Sequence, residues 1–470
     1  MGRRAVVAVA AGVAAAVLAG HAEASTPPPL ALAGDDGGSF LRCAATKPRT
    51  IVETGLSCTI IQPAGGTAWC VARTRARKAG SVTQRCVIRQ ASTRRKNVAH
   101  VVQVIEMKGD ASPQDATQIA DVRQGNRFRD NRASVTQVTR LSLGRRLDDD
   151  DRVSSGIAHP DDVAQSQEAH QSVLVCQGAA GALGPSDPSN CRGGAGMRAS
   201  NFSKVTQKQW ERQTAHASGT VVQEQNTEAR PNACSPSDVV DPVVPDEDAN
   251  ACANVDQSAQ LSHPGSGRNQ ARLTQLYVEL QSARGAAEAT QCQGFPDAPC
   301  FVSGSPEVGG LDYSVNQSAP KRSKIVTNQR SFQVQRVDDV TRFLRKQDPR
   351  ISKGGGSAQV THPDSRWTGL QRATQLQFED GELGGDTQSA LLEYLGATSG
   401  RIRAAQVVNQ NGQVETNSCS GSVCAAVLAC TTAPPEPEEA LLEPSTVVFP
   451  DQTCTATADD DDDEDEDDED

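Results

Sequence analysis

The sequence predicts a mainly β fold, built from repeats as a β-solenoid-like or stacked strand-turn-strand architecture with disulfide-stapled loops and disordered termini. Three observations carry this expectation: a recurring octapeptide, a shortage of large core-forming side chains, and fourteen cysteines spread along the chain. Of 470 residues, 37% are hydrophobic but only 3% are aromatic, and mean hydropathy is -0.48. Aromatic rings each bury roughly 150 to 250 Å² and dominate ordinary cores, so this composition disfavours a large single-core enzyme. Glutamine is abundant instead, with 38 copies.

The repeat is clearest in Asn97-Val98-Ala99-His100-Val101-Val102-Gln103-Val104. It returns as Asn131-Arg132-Ala133-Ser134-Val135-Thr136-Gln137-Val138 and as Asn269-Gln270-Ala271-Arg272-Leu273-Thr274-Gln275-Leu276. The shared pattern is N-x-A-x-[VL]-x-Q-[VL], a period-2 signal that reads as a strand. Gln90 and Gln124 precede the first two copies at the same distance, giving Q-x6-N-x5-Q twice. Side chains alternate across a strand, so Asn, Ala, Val or Leu, and Gln face one way, and Arg, Ser and Thr the other. One such strand is not a domain. Stacked rungs would pair their backbones and align inward amides in ladders spaced about 4.7 to 4.8 Å.

Looser copies keep a small residue, an aliphatic one and an amide: Gly80/Val82/Gln84, Ser203/Val205/Gln207 and Gly219/Val221/Gln223. A second group ends in His-Pro at His159-Pro160, His263-Pro264 and His362-Pro363. Proline there offers no N–H to a ladder and reads as a strand end.

The N-x-A-x-V-x-Q half preceded by Gln resembles the curlin repeat of curli fibre subunits, secreted bacterial proteins. The resemblance implies strand-turn-strand rungs and self-association as functional amyloid. In that family four residues, with glycines, separate Gln from Asn. Here six intervene, Ala91–Lys96 and Gly125–Asp130, which makes the turns longer and more charged.

Arg3 and Arg4, the uncharged run from Ala5 to Ala19 and Ala22-Glu23-Ala24 predict a signal peptide over 1–24, cleaved before Ser25. No later run approaches 20 apolar residues, so no transmembrane segment is expected in the mature chain. In a secreted protein the even cysteine count predicts disulfides. Neighbour pairing gives Cys43/Cys58, Cys70/Cys86, Cys176/Cys191, Cys234/Cys252 and Cys292/Cys300, with Cys419, Cys424, Cys430 and Cys454 as a C-terminal group. Composition then divides the chain into a linker (25–42), cysteine loops with the clearest repeats (43–143), a charged linker (144–165), β repeats (166–230) and a Pro/Asp-rich linker (231–256). Further β repeats fill 257–415, with a short helix near 386–395 from Leu391, Leu392 and Leu395. A Cys/Pro/Glu-rich segment (416–454) and a disordered acidic tail (455–470) follow.

Little chemistry is legible. No G-x-S-x-G elbow accompanies the scattered histidines. Gly194–Ala199 mimics a dinucleotide loop but follows Cys191 rather than a hydrophobic strand. No catalytic, cofactor-binding or metal-ligating residue is assigned. The last twelve residues, Asp459 to Asp470, are all acidic, and without these twelve of the 58 Asp plus Glu the remainder balances 46 Lys plus Arg with as many acids. This balance implies no basic face, and nucleic acid is not an expected partner. The tail promises at most weak, salt-sensitive Ca²⁺ binding, because it lacks a preformed cage. The expectation is therefore a secreted, extracellular or cell-surface structural or adhesive protein whose partners are further copies or matrix components. The alternatives are a monomeric secreted binding protein using its cysteine loops and, more remotely, a secreted hydrolase.

Overall fold

A computed structural model describes residues 38–46, 49–77, 79–92, 94–110, 112–126, 128–144, 162–178, 200–226, 251–258, 268–293, 310–318, 323–347, 350–351, 359–360, 364–383, 387–432 and 452–460. All lie in the compact unit Asp36–Asp470. The described residues form strands and turns, with no helix among them.

Two strands, β1 (Gly38–Ala45) and β2 (Thr50–Thr54), precede four simple rungs. These are β3 (Ser57–Gln62) with β4 (Gly66–Ala76), β5 (Gly80–Ser92) with β6 (Asn97–Gly109), β7 (Gln114–Asn126) with β8 (Asn131–Leu143), and β9 (Val163–Gln177) with β10 (Asn201–His216). In the next three rungs the first strand is interrupted. β11 (Thr220–Asn226) and β12 (Ala251–Ser258) precede β13 (Asn269–Arg284), and β14 (Glu288–Gln293) and β15 (Gly310–Ser318) precede β16 (Lys324–Asp338). β17 (Arg342–Gln347), β18 (Arg350–Ile351) and β19 (Gln359–Val360) precede β20 (Arg366–Glu379). After β21 (Glu382–Leu383), the long β22 (Thr387–Gln410) supplies both halves of the last parallel rung. β23 (Gln413–Thr432) and β24 (Gln452–Asp460) complete the chain of strands.

First strands stack in parallel on first strands to make sheet I, and second strands on second strands to make sheet II. β22 pairs with β17, β18 and β19 through its first half and with β20 through its second, joining both sheets into one hydrogen-bonded array. Antiparallel strands close both ends of the stack: β1 on β4 and β2 on β3 at one end, β23 on β22 and β24 on β23 at the other. The core lies between the sheets, where Ile60, Ile88 and Val122 of sheet I meet Val101, Val135, Val205 and Leu273 of sheet II. This is the repeat-built, solenoid-like β architecture that the octapeptide predicts.

Five segment assignments need correction. The helix near 386–395 is strand: Gln388, Ala390, Leu392 and Tyr394 are buried at period 2, and both strand edges are hydrogen-bonded. Leu391, Leu392 and Leu395 mimic helical spacing only because the intervening residues are ignored. The predicted linkers already contain strand at 38–42, 163–165 and 251–256, where neighbours in register satisfy the backbone. Residues 455–460 of the acidic segment belong to β24, paired along β23. The signal peptide, Gly194–Ala199, His159, His263, His362 and residues 461–470 fall outside the described residues.

Candidate functional site

The sequence-derived residues meet in columns running through the stack. Gln103, Gln137, Gln207, Gln275, Gln329, Gln371 and Gln406 are successive register partners in sheet II. Each Nε2 donates to the Oε1 of the preceding glutamine, at 2.9, 3.1, 2.8, 2.9, 3.1 and 3.0 Å in order. The same nitrogens reach sheet I: Gln137 donates to Gln118 O at 3.0 Å and Gln406 to Leu392 O at 2.9 Å. An amide thus spends one donor along the stack and another across it. Sheet I answers with Gln62, Gln90, Gln124, Gln177, Gln257 and Gln317, linked at 2.7 to 2.8 Å.

Asn97, Asn131, Asn201 and Asn269 form a shorter ladder at the corner between the sheets, with links of 2.9, 2.8 and 3.0 Å. Ala99, Ala133 and Ala271 lie one inward position on, and Val101, Val135 and Leu273 the next; all six are buried. Of the 36 glutamines whose burial is described, 33 are buried, so amides fill the space that apolar side chains occupy in ordinary cores.

Disulfides clamp the ends of this stack. Cys43 of β1 bonds Cys58 of β3, and Cys70 of β4 bonds Cys86 of β5. Both bonds cross between the sheets, and Cys70 stands in the column that Val101, Val135 and Val205 fill in later rungs. At the other end Cys419 bonds Cys424 within β23, and Cys430 anchors Cys454 of β24. Terminal rungs have one neighbour instead of two, and covalent links there offset the missing interface. Cys176 and Cys292 are also disulfide-bonded. Cys252 lies in β12; Cys191, Cys234 and Cys300 fall outside the described residues.

Titratable groups collect in two places that sequence reading missed. Inside, Glu211 and Glu279 stand in a column that continues as Gln333, Gln375 and Gln410. Tyr277 Oη donates to Glu279, as does Gln333 Nε2 at 2.5 Å. Burial pushes the Glu279 carboxyl up to about 8 and, reinforced by the neighbouring Glu279 and Glu168, raises Glu211 well above the ordinary range. Outside, on sheet I, Asp115, Glu168 and His170 bring three potential metal-ligand atoms within 4.8 Å of one another. His170 Nε2 lies 2.8 Å from Glu168 Oε1, and this contact holds the Glu168 carboxyl below its ordinary range. The signal was present: Gln114-Asp115-Ala116-Thr117-Gln118 and Gln167-Glu168-Ala169-His170-Gln171 share Q-[DE]-A-x-Q and lie in register.

The neutral balance of the body also hides a segregation. Outward positions of sheet II include exposed Arg132, Lys204, Arg272, Lys324, Arg366 and Arg401. Cations therefore gather on this face, contrary to the composition-based expectation. Alternation sorts side chains by parity, which a net charge cannot register.

Searches of family models, curated proteins and solved structures return no match to this chain.

Proposed function

We propose that the chain is a secreted structural or adhesive protein of a bacterial cell surface or extracellular matrix, with curlin-like rungs as its framework. The observation that supports this reading is the glutamine ladder from Gln103 to Gln406, which links seven consecutive rungs. An interior devoted to amide cross-links favours persistence over conformational change. The disulfides fit an oxidising compartment, which agrees with the leader expected at 1–24.

Antiparallel strands at both ends favour a second reading, a monomeric binding protein. They interrupt the parallel register in which another copy would extend the ladders. The interrupted rungs support it too: β11 and β12 both pair with β9, and β14 and β15 in turn with β11 and β12, so these rungs divide a strand that the simple rungs keep whole, and breaks between strands are where recognition is commonly carried. Sedimentation velocity of the mature chain over concentration and salt separates the two. Growth into large assemblies supports the matrix-forming reading; a monomer under every condition leaves the binding protein.

A further inference from the structure

The outward face of sheet II carries cations in register over its last three parallel strands. Lys324, Arg366 and Arg401 are consecutive partners in one column, and Arg330 and Arg372 are partners in another. Arg403 lies two residues beyond Arg401 on the same face. All six are exposed. The nearby ion pairs engage other residues, Arg336 with Asp338 and Arg284 with Asp339, while Arg330 Nε donates to the neutral Asn328 Oδ1 at 3.1 Å. Partners in adjacent parallel strands lie about 4.8 Å apart, and like charges at that distance repel. A ligand bearing its own line of negative charge relieves this repulsion and releases its counterions on binding.

We infer that this face binds a linear anionic polysaccharide with carboxylate or sulfate groups along its length. Arginine dominates the columns, and its planar fork matches such groups with paired hydrogen bonds. Exposed Thr368, beside Arg403 in register, adds a hydroxyl suited to sugar hydroxyls. Single-stranded nucleic acid fits less well, because it draws much of its affinity from bases stacked on open aromatic rings. On this face Phe332 and Phe378 are half-buried, the Phe202 ring lies under Arg132 at 5.3 Å, and Trp210 is contacted by Arg140 at 5.1 Å and Lys208 at 6.0 Å. The inference rests on the adhesive reading for its extracellular partner, but binding is measured on soluble chain and does not require assembly.

The test uses alginate, dextran sulfate, neutral dextran and an oligothymidylate as probes. Each is titrated against the full mature chain and against a chain ending at Asp460, because residues 461–470 are a competing polyanion. Expected are binding of alginate and dextran sulfate, none of neutral dextran, and tighter binding after truncation. R366Q/R372Q/R401Q should weaken binding by about tenfold or more and lower the logarithmic salt slope by about 2, since each released counterion contributes roughly 0.7. R94Q/R95Q, in an exposed turn away from the face, should leave it unchanged; melting curves verify that both variants fold. Equal losses in both variants, tighter binding of the oligothymidylate than of alginate, or no polyanion binding even by the truncated chain would each overturn the inference. Binding by a persistent monomer upholds it while refuting assembly; assembly without binding refutes it alone.

Discussion

Glu211 and Glu279 are register partners in adjacent strands of sheet II, 1% and 0% exposed, at column positions that later rungs fill with glutamine. Burial disfavours the charged form of both carboxyls. In the unfolded chain Glu279 ionises near its ordinary 4.5, whereas in the fold it holds its proton up to about 8. Between those values the unfolded state binds fewer protons, so stability is fully present below about 4.5 and is lost as pH rises towards 8. E279Q should remove that loss, extending the amide column by one residue and adding a few kcal/mol at pH 8 relative to pH 5. Melting temperatures of wild type and variant across this range measure it. A constant difference would place the carboxyl's titration elsewhere. Glu168 titrates below the window, because the His170 contact lowers it.

A ladder predicts a gradient of mutational cost. Gln275 donates to Gln207 at 2.8 Å and accepts from Gln329 at 2.9 Å, so Q275A strands a buried group on both sides. Gln62 accepts from Gln90 at 2.7 Å and begins its column. Each unsatisfied buried partner costs about 1 to 3 kcal/mol. Q275A should therefore destabilise by roughly twice as much as Q62A in denaturant titrations, and equal losses would refute cooperative stacking.

The columns were legible because the interior is repetitive. Asn97, Ala99, Val101 and Gln103 announce their rung by parity alone, and Gln90 and Gln124 mark its partner strand. The outward charges were not legible, since Arg132 and Arg366 belong to one face only after the register of distant strands is known. The Asp115, Glu168 and His170 cluster escaped for the same reason: its members face each other across 53 residues of sequence, linked by the Gln114 and Gln167 register. The helix error at Leu391 arose from local spacing, which tertiary pairing overrides.

End clamps should make the termini of the stack the redox-sensitive part. The Cys70–Cys86 bond closes 16 residues, worth roughly 3 kcal/mol in the chain-entropy model. C70S/C86S should open β3 and β4, covered on one side only by the short antiparallel β2 and β1, before β13 and β16, which lie between long parallel strands on both sides. Hydrogen exchange resolved by segment reads this order. Uniform loss of protection along the chain would show that the bonds stabilise the stack globally instead.

Gly369 and Tyr394 share one space between the sheets. Gly369 occupies the inward column of Val135, Val205 and Leu273, but a Cβ there would lie 2.3 Å from the Tyr394 ring. That ring enters from the sheet I half of β22 and packs on Trp367 with centroids 5.0 Å apart. The missing side chain on one sheet is the volume that the large one on the other requires. G369A should cost about 1 to 3 kcal/mol by overpacking, and Y394A about 3 to 5 kcal/mol by leaving a cavity. Combined as G369V/Y394L, the two changes restore volume, so the double variant should lose less than the sum of G369V and Y394L alone, by at least about 1 kcal/mol. Chemical denaturation of the four proteins closes the cycle. Additive losses would mean that the residues do not compete for space and that Gly369 serves its strand for another reason.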